Sequence, residues 1–379
     1  MCNENLVADI AADGVLALQG AWCANVRLDD PALVRDGGRN AVIRASARGI
    51  PDSPVVFVKR FRADVGCGFT DWAALRFLAG RCGDPALAPG FLAGDVARRV
   101  LVTREAPHSV VLGDWLLGPD PGARRRTRAL LAEVLGRLAS LRADLEPEFE
   151  AGLALLPETQ PLRREREASD LLERRTHVLD WFAAAGANAP PGFADAVSAV
   201  ARRYAGPGNF LAFSHGDPAP SNGLASPEAV TLVDFEYAAY RHALYDVSGW
   251  YILCPLPEAE AQDLVGAFRI AAAPALPAMA DGERFREEWA FVCAYRGLWM
   301  LSRIPTAVAA KDREWAPGWS AREALLTAMT RLERSTRACP VLSPICEGAG
   351  ELLRRLLIVW PGIGPERLDG PFGLEEPRR

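Results

Sequence analysis

The sequence predicts an α+β protein in two lobes, a small β-rich N-terminal lobe and a large, mainly α-helical C-terminal lobe. Three observations predict it. Strand-like runs dominate residues 1–105, and helical periodicity dominates 106–379. Within the helical part, a short β-like stretch carries the densest group of chemically useful side chains. The chain has 379 residues and half are hydrophobic, enough for two cores rather than one. The domain boundary is accordingly expected at 105/106.

Residues 1–30 have mixed polarity, with Gly14 and Gly20, and suggest a short helix or a strand edge. Two β-rich runs, Ala32-Leu33-Val34-Arg35 and Ala41 to Ser46, flank a Gly37-Gly38 turn, which is a hairpin pattern. Val55-Val56-Phe57-Val58-Lys59-Arg60-Phe61 is a third strand and completes a meander. Thr70 to Leu78 is expected to be a helix capped by Thr70, with Trp72, Leu75, Phe77 and Leu78 on its apolar side. After a Gly80–Gly90 loop, Phe91-Leu92-Ala93-Gly94 and Val100-Leu101-Val102-Thr103 are two more strands.

Leu130, Val134, Leu138 and Leu141 then fall on one helical face. Further helices are expected over 162–185, 193–204, 243–253, 257–272, 282–304, 320–338 and 348–359, and a frayed tail from Pro361.

Composition excludes several classes. A net charge of −5 and a pI near 5.6 argue against a general nucleic-acid binder, which shows a basic face. No apolar run reaches the roughly 18–20 residues of a spanning helix. The start Met1-Cys2-Asn3-Glu4-Asn5 lacks a signal-peptide pattern, so a soluble cytoplasmic protein is expected. The eight cysteines form no C-x-x-C pair and are expected to be reduced thiols. The four histidines (108, 177, 215 and 242) show no metal spacing.

The chemistry concentrates in Phe213-Ser214-His215-Gly216-Asp217-Pro218-Ala219-Pro220-Ser221-Asn222. An apolar run, Phe210 to Phe213, leads into it. A second, Val230 to Val233, ends in Asp234-Phe235-Glu236. Two carboxylates and an amide oxygen at the ends of short strands suit a divalent metal carrying phosphates, with one carboxylate left as a base. Asp217 before Pro218 and Asn222 before Gly223 also fit as plain turn residues. Their spacing, with Asp234 after a further strand, favours a site. An Asp at the end of an apolar strand is costly to bury without a cation or a strong hydrogen-bond partner.

One compositional fact is independent of the motif. Of the 43 basic residues, 41 are Arg, and only Lys59 and Lys311 are Lys. A chain that has replaced nearly all its lysines keeps one in the middle of a strand. A compact ammonium, rather than a planar fork, is what nucleotide phosphates ask for at such a position.

His-Gly-Asp-x-x-x-x-Asn followed by Asp-Phe-Glu resembles the aminoglycoside phosphotransferase and choline kinase group of kinase-like enzymes. The lobe order and the strand lysine agree. The resemblance covers most of residues 30–250 and implies a two-lobe protein-kinase-like fold. It implies Asp217 as catalytic base, Asn222 and Asp234 as Mg²⁺ ligands, and Lys59 on the phosphates of ATP or GTP. It also implies a carboxylate partner for Lys59 from the next helix, Asp71, with Asp64 as the fallback. The group more usually has Glu there, one methylene longer.

By the same resemblance Gly37 and Gly38 form the loop over the phosphates, although no G-x-G-x-x-G is present. Backbone groups near Thr103, Arg104 and Glu105 hold the adenine. His215 and Asp246 brace the active loop. Glu236 is either a second metal ligand or a loop carboxylate. Arg241-His242 stands where the group more often has a Gly.

No G-x-x-x-x-G-K-[ST] occurs, which argues against a Walker-type NTPase. The implied reaction is Mg²⁺-dependent transfer of a γ-phosphoryl group to a hydroxyl of a small molecule such as an aminoglycoside, an amino alcohol or a sugar. Trp250, Tyr251, Trp289, Tyr295, Trp299, Trp315 and Trp319, with Glu287, Glu288, Asp312 and Glu314, suit a cationic acceptor, and core aromatics with solvated acids explain the same composition. Two alternatives stand beside this reading: a kinase of a cell-envelope sugar, and an inactive kinase-like binding module. Such modules usually lose the base, the metal ligands or the lysine, and all are present here. The sequence leaves the acceptor and the oligomeric state open.

Overall fold

The computed structural model describes residues 2–23, 25–52, 54–79, 81, 87–106, 110–159, 164–254, 256–316 and 318–363. His108, most of the Gly80–Gly90 loop and the tail beyond Ile363 lie outside them. The chain divides into two compact units. The first comprises Met1–Leu112, Asp144–Pro161 and His215–Ala238; the second comprises Gly113–Ala143, Leu162–Ser214 and Ala239–Arg379.

The first unit begins with a helix, α1 (Cys2–Trp22), where only a short helix or strand edge was expected. Ile10, Ala17 and Leu18 are buried on one side, with Leu6 partly buried beside them. Gly14 lies on the same face, where a Cβ would come within 2.9 Å of a Val58 methyl. The glycine that weakens the helical pattern is thus the point of close approach to the sheet.

That sheet contains β1 (Arg27–Asp36), β2 (Asn40–Arg48), β3 (Val55–Phe61), β4 (Phe91–Asp95) and β5 (Val100–Arg104). It is antiparallel, in the order β1-β2-β3-β5-β4. All five strands were legible, but β1 is longer than its apolar core because it tolerates Pro31. As an edge strand it needs no amide from Pro31, and its register shifts between Asp29 and Ala32 absorb the irregularity. β3 is central, so Lys59 is held rigidly, paired with Val42 on one side and Leu101 on the other.

Helix α2 (Val65–Ala79) starts earlier than expected. Thr70 is inside it rather than capping it, and its hydroxyl donates back to the Gly66 carbonyl at 2.9 Å. A further three-stranded sheet joins β6 (Val110–Val111) to the hairpin of β8 (Gly223–Ala225) and β9 (Val230–Leu232).

The second unit is helical apart from small β elements. Its helix Pro121–Ala139 is capped by Asp120, which accepts from the Gly122 amide at 2.8 Å. Helix Ala321–Thr336 opens with a Ser320–Glu323 capping box. The expected helix over 162–185 is two helices, Arg164–Glu173 and Arg175–Ala184. Strand β7 (Leu211–Ser214) pairs with β10 (Ala239–His242), which the sequence did not reveal. The two apolar runs flanking the motif are therefore not partners of one another.

Arg241 and His242, on β10, are fully buried and answered by acids: Arg241 by Glu167 at 2.9 Å and His242 by Glu288 at 3.2 Å. Burial lowers the His242 pKa, so this imidazole is a neutral hydrogen-bonding brace despite its carboxylate neighbour. Among the described residues no helix is long and apolar enough to cross a membrane.

Candidate active site

The β8–β9 hairpin explains how Asn222 and Asp234 come together. Gly223 pairs with Leu232, so the residue before β8 and the residues after β9 lie at one end of the hairpin. The pairing continues one step further, with the Val233 amide donating to the Asn222 carbonyl at 2.9 Å. Asp217 is drawn to the same end by Asn222, whose Nδ2 donates to the Asp217 carbonyl at 2.9 Å and to its carboxylate at 3.3 Å. The carboxylate of Asp217 is otherwise exposed.

His215 locks this arrangement from beneath. It is completely buried and packs on Phe235, with ring centroids 4.3 Å apart. Its Nε2 lies 3.1 Å from the Val233 carbonyl, and its Nδ1 lies 3.3 Å from the Asp217 amide. The amide can only donate, so Nδ1 accepts and Nε2 carries the proton. One neutral ring thereby ties the turn bearing Asp217 to the strand end bearing Asp234. Gly216 between them has φ +88°, and a Cβ there would lie 2.2 Å from the Tyr237 carbonyl. Glycine is required at this position on both counts.

Asp234 itself adopts φ +68°, a left-handed conformation that costs a non-glycine residue energy. Strain of this kind persists where surrounding contacts hold it, and here they do. Lys59 Nζ lies 2.6 Å from Asp234 Oδ1 and 2.8 Å from Asp71 Oδ2. Asp71, on α2, is only 2% exposed, and its Oδ1 accepts the Phe235 amide at 2.9 Å. One buried carboxylate thus fixes both the lysine and the backbone next to Asp234. The shorter Asp suffices where Glu was the more usual residue, and the fallback Asp64 is not used for this contact.

Burial opposes charge on Lys59, but the carboxylates of Asp71 and Asp234 outweigh it and hold its pKa above the usual value. Burial likewise works to raise Asp234, and the adjacent ammonium overcomes it and keeps the carboxylate pKa low. Both groups are therefore charged at neutral pH. Lys311, the other lysine, is exposed in a loop.

The remaining expected residues divide clearly. Gly37 and Gly38 form the β1–β2 turn, closed by a Gly37 amide to Asn40 carbonyl bond of 2.9 Å. Thr103 is in β5, and the Glu105 amide donates to the Val55 carbonyl at 2.8 Å while its carboxylate pairs with Arg44 at 2.7 Å. Asp246, in the second unit, accepts from the Ser214 hydroxyl at 2.9 Å, just before His215 in the chain. Trp250 and Tyr295 are core residues, and Glu287 and Glu288 pair with Arg203.

Arg39 and Tyr237 bear on the site and were not singled out from the sequence. Arg39, at the β1–β2 turn, pairs with Glu236 at 2.7 Å and donates to the Tyr237 hydroxyl at 3.3 Å. A separation of 198 residues leaves no local signal for this contact.

The donor set suits a divalent cation. Asn222 uses its NH₂ group on Asp217, which leaves its amide oxygen as an acceptor, and Asp234 uses only Oδ1 on Lys59. Among the described residues no cluster of three or more His, Cys, Asp or Glu forms a metal cage. Two oxygen donors without a cage suit Mg²⁺, which keeps waters and phosphate oxygens in its shell, and do not suit a structural zinc. The residues present fit the group.

The model of the phosphotransferase enzyme family matches residues 67–287. That span holds Asp71, Asp217, Asn222 and Asp234, while Lys59 lies just before it. Among solved structures, a choline/ethanolamine kinase family protein from Mesorhizobium loti is similar at 20% identity, covering 94% of this chain and 100% of that one, with a TM-score of 0.47. A macrolide 2'-phosphotransferase from Brachybacterium faecium is similar at 14% identity, covering 83% and 100%, with a TM-score of 0.48. A choline kinase from Streptococcus pneumoniae is similar at 13% identity, covering 81% and 92%, with a TM-score of 0.45. No curated protein matches the sequence significantly. With more than half of its length matched, the chain belongs to the phosphotransferase enzyme family.

Proposed function

We propose that the protein transfers the γ-phosphoryl group of ATP or GTP, with Mg²⁺, to a hydroxyl of a small molecule such as an aminoglycoside, an amino alcohol or a sugar. The observation that carries the reading is Lys59 held between the carboxylates of Asp71 and Asp234. Such a lysine is positioned in advance, charged, and able to exchange Asp234 for a phosphate oxygen. The proposed division of labour is a nucleotide-binding lobe, 1–105, and a catalytic and substrate-binding lobe, 106–379. A cytoplasmic location fits a nucleotide-dependent reaction.

Phosphoryl transfer needs positioning and neutralisation of charge more than covalent help. Lys59 binds the α- and β-phosphates, and Asp71 fixes its reach. Asn222 and Asp234 hold Mg²⁺, which when bound neutralises phosphate charge. Backbone groups at Thr103 to Glu105 receive the adenine, and the Gly37-Gly38 turn approaches the phosphates without side chains in the way. Asp217 orients the acceptor hydroxyl and takes its proton as the oxygen attacks the γ-phosphorus. The bond from that phosphorus to the β–γ bridging oxygen breaks, and the nucleoside diphosphate leaves. His215 and Asp246 keep the Asp217 loop in place.

The test is phosphate transfer from Mg·ATP and Mg·GTP to amino sugars, choline-like amines, neutral sugars and nucleosides. Transfer to at least one acceptor, abolished by chelating Mg²⁺, is expected. An inactive binding module would show nucleotide binding and no transfer to any of them. Neither transfer nor Mg²⁺-dependent binding would sink the proposal altogether.

A further inference from the structure

The β1–β2 turn has two consecutive glycines, and nothing lies within 4 Å of a Cβ built on Gly38. A turn of this composition is intrinsically mobile. Yet it is tied: Arg62 Nη1 pairs with Asp36 and reaches the Gly37 carbonyl at 3.5 Å, and Arg39 ties it at two further places. The Arg39 carbonyl accepts the amides of Arg62 at 2.8 Å and Ala63 at 3.2 Å, which anchors the backbone to the end of β3. The Arg39 side chain reaches the segment that follows Asp234, placing Nη2 2.7 Å from Glu236 and Nη1 3.3 Å from the Tyr237 hydroxyl.

The pair is asymmetric in burial. The Arg39 side chain is 43% exposed, and that of Glu236 only 7%. A buried carboxylate loses more than a surface one when its cation is removed, so the contact outweighs an ordinary surface ion pair. Both ends of the guanidinium are engaged, so Arg39 is not waiting as a free anion receptor. Glu236 Oε1 is engaged by Arg39. Lys59–Asp234 and Arg39–Glu236 are then two cation–carboxylate pairs on alternate residues of one segment.

We propose that Arg39 is a positioning residue: through Glu236 it straps the glycine turn to the Asp234 segment, and so determines how long a bound nucleotide is retained. The proposal rests on the nucleotide-site reading above. Without the strap the turn keeps its β3 anchor but loses the Arg39 side-chain tie to the segment carrying Asp234. Nucleotide then leaves faster, while the groups around the transferred phosphoryl are unchanged.

The experiment compares Arg39→Ala, Glu236→Gln, the double variant and Arg39→Lys with wild type. Amide hydrogen exchange over residues 37–40 is measured without nucleotide. Dissociation of a fluorescent ATP analogue with Mg²⁺ is measured by stopped flow, and kcat and nucleotide KM are measured separately. Arg39→Ala is expected to speed exchange in the turn and to raise the off-rate and KM about 10-fold, with kcat changed less than about 2-fold. Glu236→Gln should match it, the double variant should be no worse than either single, and Arg39→Lys should recover part of the loss. Unchanged exchange, additive effects in the double variant, or a fall in kcat at constant KM would each overturn the strap. Wild-type protein that bound no nucleotide would instead overturn the reading beneath it, and the exchange measurement, made without nucleotide, separates that failure from the first.

Discussion

Asp217→Asn is expected to lower turnover by about 10²–10⁴-fold while leaving nucleotide affinity within a factor of about two. The substitution is isosteric. A carbonyl oxygen can still accept from Asn222 Nδ2, which now lies 3.3 Å from the carboxylate, and the Asp217 amide can still donate to His215. What disappears is the negative charge that takes the acceptor proton. Because Asp217 is exposed and makes no ion pair among the described residues, its loss should not unfold the protein. The measurement is a pair of experiments on one preparation, nucleotide titration and phosphate transfer. Normal turnover in this variant would show that Asp217 is not the base.

Asp71→Ala is expected to act on stability and on binding together. Its carboxylate is almost completely buried and serves two partners, the Lys59 ammonium and the Phe235 amide. Truncation leaves the amide without an acceptor and the ammonium with Asp234 as its remaining partner. Breaking a buried pair costs roughly 3–5 kcal/mol, and the surviving Asp234 contact places this case near 3 kcal/mol. Urea unfolding should therefore start at clearly lower concentration, and nucleotide KM should rise as Lys59 loses its fixed reach. Asp64→Asn is the control. It removes the neighbouring acid that does not contact Lys59, and Asn tolerates the φ of +48° found there. Equal effects from the two variants would mean that the Asp71 contact does not position the lysine.

The residues most visible in the sequence were those whose partners sit at short, regular spacing or at the end of an apolar run. Asp217 and Asn222 are five apart in a polar loop, and Asp234 closes a strand. Lys59 was visible because a chain rich in Arg kept so few lysines. The five-stranded sheet was legible because its strands are apolar and bounded by turns.

Other features had no such signal. α1 was obscured by Gly14, whose absence of a side chain is what lets the helix approach Val58. β8 and β10 are three and four residues long and carry little pattern of their own. They form because neighbouring strands offer unpaired edges. The link from Arg39 to Glu236 joins distant parts of the chain, and only the folded backbone brings them together. The buried Arg241 and His242 looked like a departure from the resembled group; the structure answers them with Glu167 and Glu288.

Lys59, Asn222 and Asp234 are proposed above to receive a metal-bound nucleotide. Calorimetric titration of ATP and GTP into wild type and Asp234→Asn, each with Mg²⁺ and with chelator, tests it most directly. Asn also tolerates the left-handed backbone at this position, and Lys59 keeps Asp71, so the variant should remain folded. Tight binding is expected only for wild type with Mg²⁺, with binding at least ~10-fold weaker in the other three conditions. Binding that ignored both Mg²⁺ and the Asp234 substitution would contradict it.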